Sequence, residues 1–335
     1  MKSIAMFNNK GGVGKTTVLC NLAGYLCQKM NKNVLVIDAD PQCNTTTYVL
    51  DADSFLQVYY EPGQFTLNDI VIPLKTRGAY IEPDKITILH SDGFGFDVIA
   101  GSPKLATSED FLSGDWKDIK AGEIRGIRSN MIFFDLLRKC NTYDYVFFDM
   151  GPSLGAINRA ILLACDFFIT PMSSDLFSIL ALENISSSIS DWTQKFNDTV
   201  AGLSPEDQEG LEGMDATCGI KFLGYIYQQY ITRTSDGNKR IVRAYEEILK
   251  QLPEKITQYL IEGINHDHSK EINYEIGSIP NFYSLIPMSQ SSHKSVFTLT
   301  SADGVVGAHY QKVKEYEDII HSIALNMYTN MEALI

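Results

Sequence analysis

The stretch Asn8-Asn9-Lys10-Gly11-Gly12-Val13-Gly14-Lys15-Thr16-Thr17 (NNKGGVGKTT) decides how the rest of the chain is read. It follows the apolar run Ile4-Ala5-Met6-Phe7. It precedes a segment with apolar residues at Leu19, Leu22, Ala23, Leu26 and Met30, a spacing that predicts a helix over 16–30. A glycine-rich turn between a strand and a helix exposes consecutive backbone N–H groups. The helix adds the positive end of its dipole, so the turn is suited to an anion. Gly11, Gly12 and Gly14 permit a close approach that a side chain would block. Lys15 is then placed to reach the β- and γ-phosphates of a nucleotide, and the Thr16 hydroxyl to ligate Mg²⁺. A second lysine, Lys10, has no part in that general pattern, and Asn9 stands where the pattern begins with glycine.

Outward from this loop, short unbroken apolar runs predict strands at 3–7, 34–37, 86–89, 145–148, 167–170, 222–227 and 274–279. Helical spacing recurs at 176–192, 240–252 and 307–325. Strands alternating with helices imply an α/β fold: a doubly wound, mostly parallel sheet flanked by helices, with ligands at the carboxyl ends of the strands. Three stretches fit the rhythm poorly, near 50–80, 96–128 and 199–218. They are read as surface insertions on one domain spanning 1–335.

Composition narrows the function. The chain has 335 residues and a formal net charge of −13. That argues against a protein coated in nucleic acid, although a local basic face is compatible with it. Six cysteines are scattered without C-x-x-C spacing, which favours reduced interior thiols over a metal cluster or a disulfide frame, and a cytoplasmic location. No run of about 18 apolar residues predicts a membrane span. A strand pattern beginning at once leaves no room for a signal peptide.

The segment Lys10-Gly11-Gly12-Val13-Gly14-Lys15-Thr16-Thr17 resembles the deviant Walker A loop of the ParA/MinD family of P-loop ATPases. Val36-Ile37-Asp38-Ala39-Asp40-Pro41-Gln42-Cys43-Asn44 resembles that family's D-x-D-P-Q-G-N segment, with Cys43 in the usual glycine place. Asp149-Met150-Gly151-Pro152-Ser153-Leu154 is similar to its D-x-x-P-S-L segment. The resemblance implies ATP and Mg²⁺ as cofactors. It implies that Lys15 binds phosphate within its own subunit and that Lys10 reaches the phosphates of a second subunit in an ATP-bound homodimer. It makes Asp40 the residue that orients the attacking water, places Thr16, Asp38 and Asp149 at the metal, and makes Gly151, Pro152 and Ser153 a switch that senses the γ-phosphate. Taken alone, Asp38 and Asp40 also suit a turn before proline, and Lys10 suits a solvated loop. The adenine is implied near Gln228 and near Pro280 and Phe282. With no strong general base in view, hydrolysis is expected to be slow, as in a timer.

ParA-like relatives bind DNA without sequence preference, and a ParB-like or other adaptor stimulates hydrolysis. The candidates for DNA contact are Arg233, Lys239, Arg240, Arg243 and Lys250, with Lys294, Lys312 and Lys314 as further members. The same cations, interleaved with Glu246 and Glu247, suit a solvated helix face. The resemblance thus implies a partition ATPase acting on plasmid, chromosomal or mobile DNA, cytoplasmic and at the nucleoid. A MinD-like membrane positioner would need a basic amphipathic tail, and the final segment carries Glu317, Asp318 and Glu332 instead. A ParA-like ATPase positioning a non-DNA cargo is a further alternative. A metal-cluster reductase of the same fold would need a cysteine pair at the dimer seam. A tyrosine kinase of the superfamily would need a tyrosine-rich tail.

Overall fold

The apolar runs become strands of one sheet: β1 Lys2–Met6, β2 Val34–Asp38, β3 Leu89–Ser91, β4 Phe96–Ile99, β5 Tyr145–Asp149, β6 Phe167–Ser173, β7 Lys221–Gln228 and β8 Glu275–Ile279. The computed structural model describes residues 1–120, 123–173, 176–209, 211, 214, 216–228, 250–267 and 271–335. Among the described residues the strand order is β3-β4-β2-β5-β1-β6-β7-β8. Every neighbouring pair is parallel except β3 with β4. The doubly wound α/β reading therefore holds.

Alternation along the strands sends side chains to two cores. In β1, Ile4 and Met6 join one apolar cluster and Ala5 joins the other, as a sheet covered on both faces requires. Helices Lys15–Met30 and His309–Leu334 cover the first face, and helices Leu105–Lys120, Ala156–Ala164 and Leu176–Ala201 the second. Register then does the work that matters for function. Asp149 is opposite Met6 on one side and opposite Asp38 on the other, so the ends of β1, β2 and β5 coincide.

The structure corrects several readings. Only Leu89 of the 86–89 run enters a strand; residues Pro83–Lys85 form a 3₁₀ turn, and β3 is a short antiparallel edge. The stretch 96–128 is no surface insertion. It begins with β4, which pairs with β2, and continues into a helix that buries Leu105, Leu112, Trp116 and Ile119. Asp97 disguises β4 by interrupting its apolar run; that carboxylate accepts a bond from the Tyr143 hydroxyl at 2.8 Å. The stretch 50–80 likewise feeds Phe65, Leu67, Ile70, Val71, Leu74 and Tyr80 into the core, and 199–218 contributes Leu211, Ala216 and Cys218. The helix expected over 240–252 lies mostly outside the described residues. The last helix runs to Leu334, beyond 325, because Met327 and Met331 continue its buried face. All six cysteines are free, and five are buried. Among the described residues no helix is long and apolar enough to cross a membrane.

Asn330 ties that last helix to the sheet. Its Nδ2 donates to the Leu223 carbonyl at 3.0 Å and to the Asn273 carbonyl at 2.8 Å, and it is buried. Asn330→Ala removes the buried donor to both carbonyls and is expected to cost about 1–3 kcal/mol in denaturant unfolding.

Candidate nucleotide site

The loop after β1 is tied to β6 before it turns. Phe7 N–H donates to the Ile169 carbonyl at 2.9 Å, and Asn8 Nδ2 donates to the Pro171 carbonyl at 2.7 Å. Gly12 and Gly14 both have φ of 74°, in the left-handed region that favours glycine. At Gly14 a Cβ would also lie 2.7 Å from Gln228 Oε1. Gly14 caps helix Lys15–Met30 without a side-chain bond, so the first N–H groups of a 16-residue helix are not spent on a capping side chain. Lys15 is buried, and its Nζ donates to the Lys10 carbonyl at 3.2 Å. Burial lowers its pKa, opposed by Asp149 and Asp40.

Three carboxylates close the other side. Asp149 Oδ2 accepts from Thr16 Oγ1 and from Thr45 Oγ1, each at 2.7 Å, while its Oδ1 is buried with no hydrogen-bond partner. Asp38 Oδ2 accepts from Thr46 N–H at 2.8 Å and from Thr46 Oγ1 at 2.6 Å. Burial, then the charge of Asp149, pushes the Asp38 carboxyl up to about 7. Burial also raises Asp149, against its threonine donors and Lys15. Asp40 Oδ1 accepts from Gln42 N–H at 3.0 Å, and a Cβ on Gly151 would lie 3.3 Å from that oxygen. Cys43 takes the left-handed conformation, φ 55°, that opens helix Asn44–Val49; the family's glycine would hold that backbone without strain.

This arrangement suits a hard cation. A buried carboxylate oxygen lacking a donor, beside a threonine hydroxyl at a helix N-terminus, is the oxygen chemistry of Mg²⁺. Among the described residues no three His, Cys, Asp or Glu side chains group closely enough to hold an ion themselves. A magnesium ion would depend on Thr16, water and phosphate oxygens, with Asp149 behind.

Gly11, Gly12, Val13, Gly14, Lys15, Thr16, Thr17 and Asp40 line one cleft of about 690 Å³ with Gln42, Asn44, Thr47, Tyr48, Pro152, Gln290 and His293. Gln228 is not on its wall but behind Gly14. Phe282 is buried edge-on against Tyr316, with ring centroids 5.0 Å apart, and neither it nor Pro280 lines this cleft. The sequence reading missed Tyr48, Gln290 and His293. His293 Nδ1 lies 3.2 Å from the Tyr48 carbonyl, and the Tyr48 hydroxyl lies 2.6 Å from Ser289 Oγ. No motif marks these residues; a fold across more than 240 positions brings them together. Lys10 Nζ donates to Ser173 Oγ at 3.0 Å, on the strand beside β1. Of the cations considered for DNA, Arg233, Lys239, Arg240 and Arg243 lie outside the described residues. Lys250 is exposed. Lys294 pairs with Asp303 and Lys312 with Glu315, each at 2.7 Å. Lys314 shares a groove with Glu315 and Asp318.

A glycine-rich loop between a central parallel strand and a helix, facing an aspartate at the next strand's end, defines a P-loop nucleotide-binding fold. The AAA domain family AAA_31 matches residues 1–201. The chain belongs to the ParA/MinD family of P-loop ATPases. A virulence plasmid ParA family protein of Chlamydia psittaci is 32% identical over 185 residues, 55% of this chain and 62% of that protein. The chromosome-partitioning ATPase Soj of Thermus thermophilus is 27% identical over 234 residues, 70% of this chain and 72% of the relative. The crystal structure of protein DIP2308 from Corynebacterium diphtheriae covers 99% of both chains at 27% identity with a TM-score of 0.71. Apo McdA from Cyanothece covers 96% and 99% at 17% identity, TM-score 0.58, and shares the fold.

The raised Asp38 carboxyl has a measurable consequence. Its folded value, about 7, lies above its ordinary 3.8. Between those values the folded state holds a proton that the unfolded state has released, so this group's contribution to stability falls as pH rises through the window. Asp38→Asn keeps an oxygen for both Thr46 donors and removes the charge. Without metal it is expected to be more stable than wild type by about 1–3 kcal/mol at pH 8, with the difference shrinking at pH 5, measured by chemical unfolding at both pH values.

Proposed function

We propose that this protein is a ParA-like partition ATPase that binds ATP with Mg²⁺, closes into a sandwich homodimer, and hydrolyses ATP slowly until an adaptor protein accelerates it. The observation that carries the reading is the convergence of Lys15, Thr16, Asp40 and Asp149 on an uncapped helix N-terminus. The N–H groups of residues 11–17 bind the phosphates, and Lys15 neutralises the β- and γ-oxygens. Thr16 and Asp149, with Asp38 beside them, hold the side where magnesium supplies further charge neutralisation. Asp40, fixed by Gln42 N–H, orients the attacking water. Catalysis here is placement and charge neutralisation rather than covalent chemistry. Lys10 swings from Ser173 to the phosphates of the second copy, which makes dimerisation depend on nucleotide.

The cargo is proposed to be DNA, held without sequence preference at the nucleoid through Arg233, Lys239, Arg240, Arg243 and Lys250. The relatives named for plasmid and chromosome partition support this, and a ParB-like protein is the proposed adaptor of the cycle. Lys294 and Lys312 are left out because each is engaged by a carboxylate.

Light scattering with Mg-ATP tests the cycle. Wild type is expected to shift from monomer to dimer. Lys10→Ala is expected to bind ATP and stay monomeric. Asp40→Ala is expected to lose about 10²-fold in turnover and to accumulate as the dimer. A Lys10→Ala protein that dimerises like wild type contradicts the trans role.

A further inference from the structure

The loop after Asp149 enters helix Ala156–Ala164, whose N-cap residue is Gly155 and has no side chain to offer. The cap comes from a different helix. Glu109, in helix Leu105–Lys120, accepts from Ala156 N–H through Oε1 and from Ile157 N–H through Oε2, the second at 3.1 Å. Gly155 admits it, since a Cβ there would overlap the carboxylate. A carboxylate on the first N–H groups of a helix is favoured twice, by charge-assisted bonding and by the helix dipole.

That first turn holds the sensing loop. Asn158 Nδ2 donates to the Gly151 carbonyl at 2.8 Å and to the Ser153 carbonyl at 2.7 Å. Gly151 in turn lies against Asp40. One residue further on, Arg159 places its guanidinium 4.1 Å from the centre of the Trp116 ring and 5.9 Å from that of Trp192. Its Nη2 donates to the Leu112 carbonyl at 3.4 Å. Helix Leu105–Lys120 therefore grips helix Ala156–Ala164 at two levels, through Glu109 at the start and through Leu112 and Trp116 about a turn later. The chain's two tryptophans both flank Arg159.

We propose that Glu109 is a positioning residue for the loop beside Asp40, and that helix Leu105–Lys120 moves with that loop when a γ-phosphate is bound. This rests on the nucleotide reading above and adds a route by which the helix layer outside the phosphate site regulates it. A contact on this helix that withdraws Glu109 frees the first turn, and with it the Gly151 backbone beside the attacking water. In the proposed switch the carboxylate either sits on Ala156 and Ile157 or leaves to solvent.

Steady-state ATPase kinetics, calorimetric ATP binding and tryptophan emission, each on full-length wild type, Glu109→Ala and Glu109→Gln, test this. Wild-type emission is expected to change with Mg-ATP and not with Mg-ADP. Glu109→Ala is expected to keep ATP affinity within about twofold, lose the emission change, and lose about tenfold in kcat with KM little changed. Glu109→Gln retains one acceptor oxygen and is expected to fall between, and it carries the test if the alanine variant does not fold. Folded variants with wild-type kcat and wild-type emission response overturn the inference, as does a wild type that binds ATP with no emission change; either result leaves the nucleotide reading standing. A wild type that binds no ATP overturns the nucleotide reading and this inference with it.

Discussion

Everything at this site depends on burying three carboxylates around one lysine. Parallel register sets Asp38 opposite Asp149 at the ends of adjacent strands, and the turn after β2 brings Asp40 alongside. Buried charges of one sign are costly unless something compensates. Threonine donors from Thr16, Thr45 and Thr46 offset part of that cost, and the Lys15 ammonium offsets more. The remainder appears as a raised Asp38 carboxyl and a buried Asp149 oxygen with no donor. A site left in that electrostatic state is prepared for a cation and a polyanion together, because each supplies what the other and the protein lack.

The loop geometry follows from the same constraint. Left-handed φ at Gly12 and Gly14 sets the turn of the loop, and Gln228 fills the space a Cβ on Gly14 would need. On the opposite side of the cleft, Gly151 brings the post-β5 loop against Asp40. That loop is suspended between a strand end and a helix whose cap is borrowed from Glu109. Long-range contacts hold both sides: Asn8 ties the phosphate loop to β6, and Glu109, 47 positions away, caps the helix behind the post-β5 loop.

The phosphate loop, the Asp38–Asp40 turn and Asp149 lie in contiguous stretches whose residue types state their chemistry, so the P-loop fold and the composition of the site were legible. The inner strands β1, β2 and β5 were legible because both of their faces are buried. β4 was hidden by Asp97, a polar residue whose partner, Tyr143, is distant in sequence. Glu109, Tyr48 and His293 carry no local signature at all, since each acquires its place through packing between layers. Phe282, implied at the adenine by the resemblance, packs in the core against Tyr316.

Isothermal titration of ATP, with and without Mg²⁺, into wild type and Lys15→Ala tests the central claim most directly. The account predicts binding that strengthens with Mg²⁺ and weakens by about 100-fold or more in Lys15→Ala, since a charge-assisted contact to phosphate in a desolvated site is lost. ATP binding that is indifferent to both Mg²⁺ and Lys15 would contradict it.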